Sequence, residues 1–491
     1  MFLCYHADGP SSRNVRFFKK KLTISPHLIA YFPTKKEFCR NLKKPWKKER
    51  KYSMILRYIK LRSQSHGKGM LMKVFRTILA AVACFLIAVG IFSVLGYQLY
   101  FRYAKPEVPA QTTVQQAPEA EPEPEAEPEP EPEAEPTPEP TKEELRAQEL
   151  LADLSLEQKL YQLCFVTPES LTGVEAATRA GDATREALQA NPVGGLIYDE
   201  KNIEDEDQLK DLLLGTQNHL KDGDELPAFL GIGEEGGDVA PVATKLDLTT
   251  FGPAAEFGTS EDLDGAKSMG SIIAMDLSDL GFNVDFAPIA DLTDSDSNPV
   301  IGNRSFGPDA NLSASLVGSF VDGLQSGKVL SAVSHFPGLG SISDVAHVDR
   351  TKITRSVEDL KQNELLPFQT AVDKQCGFVI VSHAVLTELD DQRPCSMSPA
   401  VMQLLRDDLG YRGIILTDTL SVPAITEHYD SGEAALNAIN AGADMLLCPK
   451  DLEETIEALQ KAVEENKLTE ERIDESVTRI LAAKLKLGLI E

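Results

Sequence analysis

The chain has 491 residues and a formal net charge of −27, which is divided unevenly along its length. The first 100 residues hold 20 lysines and arginines against three acidic residues, so a basic head of charge +17 precedes a remainder of charge −44. The acidic remainder argues against nucleic-acid binding, because a phosphate backbone needs lysine and arginine to displace its counterions.

Residues 1–73 form the basic segment and show no sustained amphipathic period. We expect them to be a disordered cytoplasmic segment. The alternative is an upstream extension of a protein whose synthesis starts at Met54 or Met70, and the sequence leaves this choice open.

A single transmembrane helix is predicted over residues 74–103. Residues 77–99 carry no charge, and at 1.5 Å per residue they are long enough to cross the roughly 30 Å of hydrocarbon in a bilayer. Lys73 and Arg76 lie at the N-terminal end of this run, so the positive-inside tendency puts the N-terminus in the cytoplasm and the rest of the chain outside the cell. A cleavable signal peptide is the alternative, but no clear small-x-small cleavage site follows the apolar run.

Residues 104–141 form a linker rich in proline and glutamate. Such a composition cannot bury enough apolar surface to fold. Proline and the repulsion between glutamates extend the chain, giving a reach on the order of 100 Å at about 3.1 Å per residue. We therefore predict a disordered stalk that holds the following domain away from the membrane.

Residues 142–491 alternate short apolar runs with helical patterns. The runs of strand length are 163–166, 195–198, 229–232, 282–287, 330–333, 378–381, 414–416 and 445–447. An amphipathic helical pattern precedes the first run over 141–160, others lie at 262–280, 310–326, 357–376 and 398–409, and two more follow at 451–465 and 469–486. Eight strands alternating with helices predict an α/β fold of the closed (β/α)8 TIM-barrel type. A doubly wound open sheet is the alternative, although no GxGxxG follows the first strand to bind a dinucleotide.

The residues that follow the predicted strands are polar. They read GEEGGD at 233–238, NPVIGNRSFG at 298–307, SHFPG at 334–338, SH at 382–383 and TDT at 417–419. In a barrel these residues share the rim that carries active sites. Asp418 is the strongest catalytic candidate, because a carboxylate fixed there can attack an anomeric carbon as the nucleophile of a retaining glycosidase, or stabilise an oxocarbenium-like transition state. Its alternative role is to cap the following helix.

The cysteines and histidines give no sign of a metal or cofactor site. The seven cysteines are scattered, with no CxxC or Cys/His spacing, and a domain of this size does not need disulfides. We expect them to be mostly buried apolar residues, since Cys164, Cys376 and Cys448 lie in or beside apolar segments. No metal and no cofactor are predicted.

Several motifs occur together in one known family. The stretches SHFPGLG (334–340), NPVIGNRSFG, GEEGGD, LLRDDLGYRGIILTDTLS (404–421) and NAGADMLL (440–447) resemble those of glycoside hydrolase family 3, in its single-domain β-N-acetylglucosaminidase branch. The resemblance covers residues 145–490. It implies a (β/α)8-type barrel that removes β-linked N-acetylglucosamine by a retaining mechanism without a metal.

The resemblance also implies roles for individual residues. Asp418 falls on the aspartate of the family's S/T-D-x-L motif, which is the nucleophile. His347, on the loop after the fifth strand, falls on the general acid/base. The expected substrate-binding residues are Arg304, His335, Glu235 and His383.

The chain departs from the family pattern around these residues. Where the family has D-x-H, Val345 replaces the aspartate that orients the histidine, so Asp344 or Asp349 would have to supply that carboxylate. Ser334 stands in place of a sugar-binding lysine and Gly233 in place of an aspartate that holds sugar hydroxyls. Pro241 replaces an arginine that grips the ligand.

Two functional hypotheses follow from this pattern. The first is a membrane-anchored extracellular exo-β-N-acetylhexosaminidase that acts on cell-wall or other external glycans. The second is a catalytically impaired relative that binds a glycan or a protein partner through the same mouth. The presence of both reacting groups, Asp418 and His347, favours the enzyme, whereas the departures at Gly233, Ser334 and Val345 favour the binding protein.

Overall fold

The computed structural model describes residues 140–293, 298, 300–340 and 351–491. The predicted basic segment, the predicted membrane span at 74–103 and almost all of the predicted stalk lie outside these residues. Within the described ranges, no helix is long and apolar enough to span a membrane.

Eight parallel strands form the centre of the structure. They are β1 (Cys164–Val166), β2 (Gly195–Ile197), β3 (Phe229–Ile232), β4 (Val284–Asp285), β5 (Leu330–Phe336), β6 (Phe378–Val381), β7 (Ile414–Thr417) and β8 (Leu446–Leu447). Their order in the sheet is β8-β1-β2-β3-β4-β5-β6-β7. A parallel bridge between Leu416 and Met445 joins β7 to β8, so the sheet closes on itself. The predicted barrel, with its eight strands at the predicted places, is confirmed.

Helices surround the strands. Their bounds are α1 (Lys142–Leu151), α2 (Leu156–Gln162), α3 (Pro168–Thr172), α4 (Asp182–Ala190), α5 (Glu206–Asp222), α6 (Pro241–Leu246), α7 (Ala254–Ser260), α8 (Leu263–Leu280), α9 (Ala310–Ser326), α10 (Val357–Gln362), α11 (Leu365–Asp373), α12 (Pro399–Gln403), α13 (Pro423–Thr426), α14 (Ser431–Ala441), α15 (Leu452–Glu464) and α16 (Glu470–Leu487). Many begin at an N-cap whose side chain accepts a backbone hydrogen bond, as Asp262 and Asp309 do for α8 and α9.

Three predicted helices are interrupted. The pattern over 141–160 forms α1 and α2, which are separated by residues 152–155. The pattern over 357–376 forms α10 and α11, because the chain leaves the helical conformation at Asn363 and turns Glu364 into the interior beside Arg355. The pattern over 398–409 begins as α12 and continues as one π-helical turn, Leu404–Asp408.

Two short rim strands were not predicted from the sequence. Lys352–Ile353 and Val385–Leu386 pair in parallel beside the barrel. A two-residue strand is too short to show the alternation that identifies strands in a sequence.

Phenylalanine rings fill the barrel interior. Phe165 stacks against Phe229 with ring centroids 6.5 Å apart and meets Phe286 edge-on at 5.4 Å. A Cβ atom at Gly195 would lie 2.6 Å from the Phe165 ring, and one at Gly231 would lie 2.6 Å from the Phe286 ring. The two glycines are therefore required by close packing of the rings in the core.

The C-terminal helix α16 covers the N-terminal end of the barrel. Its Ser476 hydroxyl and Arg479 guanidinium donate to Asp444, which directly precedes Met445 and β8, at 2.8 Å and 2.9 Å. The N-terminal helix α1 packs against α16, and Arg146 of α1 donates from Nε to the backbone carbonyl of Glu491 at 3.3 Å. Both ends of the folded domain therefore lie at this end of the barrel.

Asp444 is the centre of a buried ion-pair network. Besides Arg479, it contacts Arg406 and lies 3.7 Å from Nη2 of Arg472, and it accepts a hydrogen bond from the Ile415 amide at 2.9 Å. Burial alone would raise the pKa of Asp444, but the three guanidinium groups outweigh it and lower the pKa.

Lys484 of α16 is fully buried at the same end of the barrel. Its Nζ donates to Oε1 of Gln162 at 2.5 Å and lies 5.1 Å from the centroid of the Phe229 ring. Burial lowers the pKa of Lys484 from its ordinary value of 10.5 to about 7. Between these two pH values the unfolded chain binds more protons than the folded chain, so this residue makes the free energy of unfolding rise with pH.

We predict that Lys484→Met removes this pH dependence. Between pH 7 and 8.5, the free energy of unfolding of the wild type should rise relative to that of the variant, as measured by chemical denaturation of the full chain. Lys486→Met, at an exposed position of the same helix, is the control and should follow the wild type. Parallel curves for the wild type and Lys484→Met would contradict the prediction.

Candidate active site

Polar side chains that follow the strands gather at the C-terminal rim of the barrel, as predicted from the sequence. Those with described positions are Glu234, Glu235, Asp285, His335, His383 and Asp418. They share one rim because all strands of a closed parallel barrel end on the same side. Arg304 reaches this rim from the 3₁₀ turn Gly302–Arg304, which belongs to the long loop after β4.

Arg304 and Glu235 form a bidentate ion pair. Nε and Nη2 of Arg304 donate to the two carboxylate oxygens of Glu235 at 2.7 Å and 2.5 Å. Burial alone would lower the pKa of Arg304, but the charges of Glu235, Asp291 and Asp418 outweigh it and raise the pKa. Arg304 therefore lies in the field of Asp418 and remains a cation at the mouth.

Asn298 shapes the turn that presents Arg304. Its side-chain oxygen accepts from the amides of Val300 and Ile301 at 2.9 Å and 3.0 Å. Its amide group donates to the carbonyl of Leu339 at 3.0 Å, which ties the loop after β4 to the loop after β5. The position of Arg304 thus depends on contacts between two neighbouring strand ends.

His335 is held by Asp291. The His335 Nδ1 atom lies 2.7 Å from Oδ2 of Asp291, and the other oxygen of Asp291 accepts from the Leu339 amide at 2.6 Å. Asp291 is buried, whereas the His335 side chain is 12% exposed. A carboxylate at Nδ1 fixes the orientation of the ring and leaves Nε2 as the atom that faces away from this contact.

Asp418 follows β7 directly and is 4% exposed. Its amide donates to the carbonyl of Val381 in β6 at 2.9 Å, and its Oδ1 accepts from the Thr419 amide at 2.7 Å. These contacts fix both the backbone and the carboxyl group. The alternative prediction for Asp418, a helix N-cap, does not describe it, since the next helix is α13 and begins at Pro423 after Val422.

His383 is almost completely buried, and both ring nitrogens contact protein groups. Nδ1 lies 2.8 Å from the hydroxyl of Ser396, and Nε2 lies 2.9 Å from the carbonyl of Thr419. These contacts join the ends of β6 and β7 and give His383 a structural role. The predicted role of His383 in substrate binding stays a prediction.

Glu234 lies at the rim, as predicted, but the sequence did not indicate that its side chain is buried. It is 3% exposed, and its carboxyl oxygens accept from the amides of Val242 and Ala243, at the start of α6, at 2.8 Å and 3.2 Å. Burial raises the pKa of Glu234 to about 7. The neighbouring Asp285 accepts from the Glu234 amide at 2.9 Å, and burial raises its pKa well above the ordinary value.

The predicted acid/base residue lies outside the described residues. His347, Asp344, Val345 and Asp349 belong to residues 341–350, between Gly340 and Thr351. Their predicted roles therefore stay predictions.

Of the three altered sugar-binding positions, Pro241 begins α6, and the other two have different surroundings. Ser334 is buried in β5. A Cβ atom at Gly233 would meet nothing closer than the Cβ of Phe286 at 3.9 Å, which is an ordinary van der Waals contact. The backbone at position 233 therefore does not require glycine for lack of space at the Cβ atom.

Most of the described cysteines are buried, as expected. Cys164, Cys376 and Cys395 are buried, and Cys448 is partly buried and packs against the core. Burial raises the pKa of each of the three buried thiols to about 12. Among the described residues, no group of three or more histidine, cysteine, aspartate or glutamate side chains is arranged to hold a metal ion.

Comparison with known families gives a match across the barrel. Residues 155–483 match the family described as "Glycosyl hydrolase family 3 N terminal domain". Beta-hexosaminidase A of Pseudoalteromonas piscicida is 30% identical over 328 residues, which are 62% of this chain and 55% of that protein. Beta-hexosaminidase LpqI of Mycobacterium tuberculosis is 31% identical over 271 residues, which are 53% of this chain and 69% of that protein.

Solved structures give a similar result. A glycoside hydrolase family 3 β-N-acetylglucosaminidase from Paenibacillus sp. str. FPU-7 superposes with a TM-score of 0.65 at 33% identity, covering 68% of this chain and 63% of that one. The structure of M. tuberculosis LpqI superposes with a TM-score of 0.60 at 28% identity, covering 68% and 95%. The chain thus spans little more than half of the Pseudoalteromonas protein and somewhat under two thirds of the Paenibacillus chain.

We predict that Arg304→Met destabilises the fold, because it leaves the Glu235 carboxylate buried without its partner. The expected loss is about 3–5 kcal/mol in the free energy of unfolding, measured by chemical denaturation. Adding Glu235→Gln should recover part of this loss. Arg185→Met, which breaks an exposed pair with Asp182, is the control and should cost about 1 kcal/mol or less. Equal effects of Arg304→Met and Arg185→Met would contradict the prediction.

Proposed function

The chain belongs to glycoside hydrolase family 3, and from this premise we propose that its barrel is an exo-acting, retaining β-N-acetylhexosaminidase. The names of its relatives, β-hexosaminidases and a β-N-acetylglucosaminidase, support this substrate class. The substrate is a β-linked amino-sugar glycan of the cell wall or of another external source. Neither a metal nor a cofactor enters the mechanism.

The observation that carries the proposal is the setting of Asp418 at the rim. Asp418 is a buried carboxyl group at the end of β7, with one oxygen fixed by the Thr419 amide. Its charge contributes to the raised pKa of Arg304. A carboxyl group held in this way at a barrel rim suits attack on an anomeric carbon.

The reaction then has two steps. In the first, an oxygen of Asp418 forms a bond to the anomeric carbon while the bond to the leaving oxygen breaks and that oxygen takes a proton from His347. In the second, His347 accepts a proton from water, which attacks the same carbon and releases the sugar and the Asp418 carboxylate. Two displacements at one carbon retain its configuration.

Arg304 and His335 hold the sugar in this proposal. Each is fixed by a carboxylate, Glu235 for Arg304 and Asp291 for His335, so the donors are oriented before the sugar binds. Glu235 acts through Arg304. Asp344 is the proposed carboxylate that orients His347, in place of the aspartate that Val345 replaces.

The protein is proposed to be a single-pass membrane protein with its N-terminus in the cytoplasm and its barrel outside the cell. The support is in the sequence alone: the basic residues 1–73, the uncharged residues 77–99 and the acidic linker 104–141. An enzyme on such a linker can reach glycans at a distance from its own membrane.

We predict that Asp418→Asn lowers the rate of hydrolysis of an aryl β-N-acetylglucosaminide by several orders of magnitude, because the amide cannot serve as the nucleophile. A fluorinated glycoside that forms the covalent intermediate quickly and hydrolyses slowly should label the peptide that contains Asp418, as measured by mass spectrometry.

The matched control is His347→Ala. It should cost less with a nitrophenol leaving group than with a natural sugar, because only the poor leaving group needs a proton. If Asp418→Asn hydrolyses the substrate at the wild-type rate, the mechanism is wrong. If the wild type hydrolyses no member of a panel of aryl β-glycosides yet binds glycan, the function is binding instead.

We also predict that protease added to intact cells, or to wall-stripped cells, cuts within the linker and releases a folded barrel of about 345 residues. Immunoblotting with antibodies against the two ends of the chain gives the readout. Digestion of residues 1–73 with protection of the barrel would show the opposite orientation.

A further inference from the structure

We propose that Glu234 is a positioning residue of this active site. Its carboxyl group accepts hydrogen bonds from the amides of Val242 and Ala243 and so closes the loop that carries Glu235; we call this contact the clasp. The clasp sets the position of Arg304, and it changes when Glu234 gains or loses a proton. This inference rests on the proposed function, because it takes Arg304 to bind the sugar.

The clasp closes a short loop on the rim. The carboxyl oxygens of Glu234 accept from Val242 and Ala243, eight and nine residues further along the chain. Inside this span the amide of Glu235 donates to the carbonyl of Val239 at 2.8 Å, and Gly236 and Val239 form an antiparallel bridge. Since the side chain of Glu234 joins the two ends of the loop, the loop conformation depends on it.

The loop in turn holds Arg304. Glu235 is the next residue after Glu234 and makes the bidentate ion pair with Arg304. Further along the loop, Asp238 accepts from the side-chain amide of Asn303 at 3.3 Å. A change in the clasp therefore shifts the carboxylate that orients Arg304.

The charge state of Glu234 is sensitive to pH near neutrality. The titratable groups that face it are acids: Asp285 from β4, Glu235 from its own loop, and Asp276 of α8 across a small cavity. Burial, Asp276 and Glu235 raise the pKa of Glu234 to about 7, against the two amide hydrogen bonds, which lower it. The rim cation Arg304 is engaged by Glu235.

Protonation weakens the clasp for a geometric reason. The ionised carboxylate accepts from both amides at once. In the neutral acid, one oxygen carries a hydrogen that faces an N–H donor, so one of the two hydrogen bonds is lost. We therefore expect Arg304 to be held more firmly above neutral pH than below it.

The test compares kcat/KM of the full chain and of Glu234→Gln across pH 5.5 to 8.5 with an aryl β-N-acetylglucosaminide. Glutamine has the shape of the neutral acid, so the wild type and Glu234→Gln should have the same kcat/KM at pH 5.5. At pH 8.5 the wild type should be better by about fivefold, the effect of one hydrogen bond, mainly through a lower KM. Glu256→Gln, at an exposed position, is the control and should follow the wild type throughout.

Unfolding experiments on the same proteins separate titration from positioning. Because the pKa of Glu234 is raised in the folded state, wild-type stability relative to Glu234→Gln should fall from pH 5 to 7 and then level off. If this occurs while the kcat/KM ratio stays constant, Glu234 titrates without positioning Arg304, and the proposal is overturned although the proposed function stands.

If the wild type cleaves no glycoside, the proposed function is wrong. The positioning role is then tested on binding, by comparing the Kd values of the wild type and of Glu234→Gln for N-acetylglucosamine over the same pH range. A pH-dependent Kd ratio of the same size and direction supports the positioning role. The positioning role is overturned if the Kd ratio is the same at every pH, if the two proteins differ at acidic pH, or if the wild type does not bind the sugar.

Discussion

Asp444 fixes the closure of the barrel, on which the arrangement of the rim depends. It lies between the ends of the sheet, with its backbone at the start of β8 and its side chain on the Ile415 amide of β7. Burial of a carboxylate is costly, and here three arginines and the Ser476 hydroxyl offset that cost. With β7 fixed against β8 at one end, Asp418 at the other end of β7 lies opposite the ends of β1 to β5 instead of at a free edge.

The rim is acidic. Its described residues include Arg304 and these acids: Glu234, Glu235, Asp285, Asp291 and Asp418. The charges of Glu235, Asp291 and Asp418 act on Arg304. The pKa values of Glu234 and Asp285 are raised. A surplus of negative charge suits the proposed reaction, whose transition state carries positive charge on the sugar. It also leaves buried acids that respond to pH.

The sequence predicted the features that depend on local pattern. Strands buried on both faces are continuous apolar runs, and the polar residues after them reach the rim in any parallel barrel. Features that depend on distant partners could not be predicted. Glu234 differs from Glu235 because its partners are two backbone amides of α6, and the contacts of Ser396 and Thr419 with the ring of His383 form only on folding. Likewise, the break before α11 depends on the burial of Glu364.

The packing of α1 on α16 fixes where the described chain enters the barrel domain. Since α16 covers the N-terminal ends of the strands, residue 140 enters on the face opposite the rim that carries Asp418 and Arg304. If the proposed function is right, a sugar that approaches this rim along the barrel axis does not meet the point at which residue 140 enters.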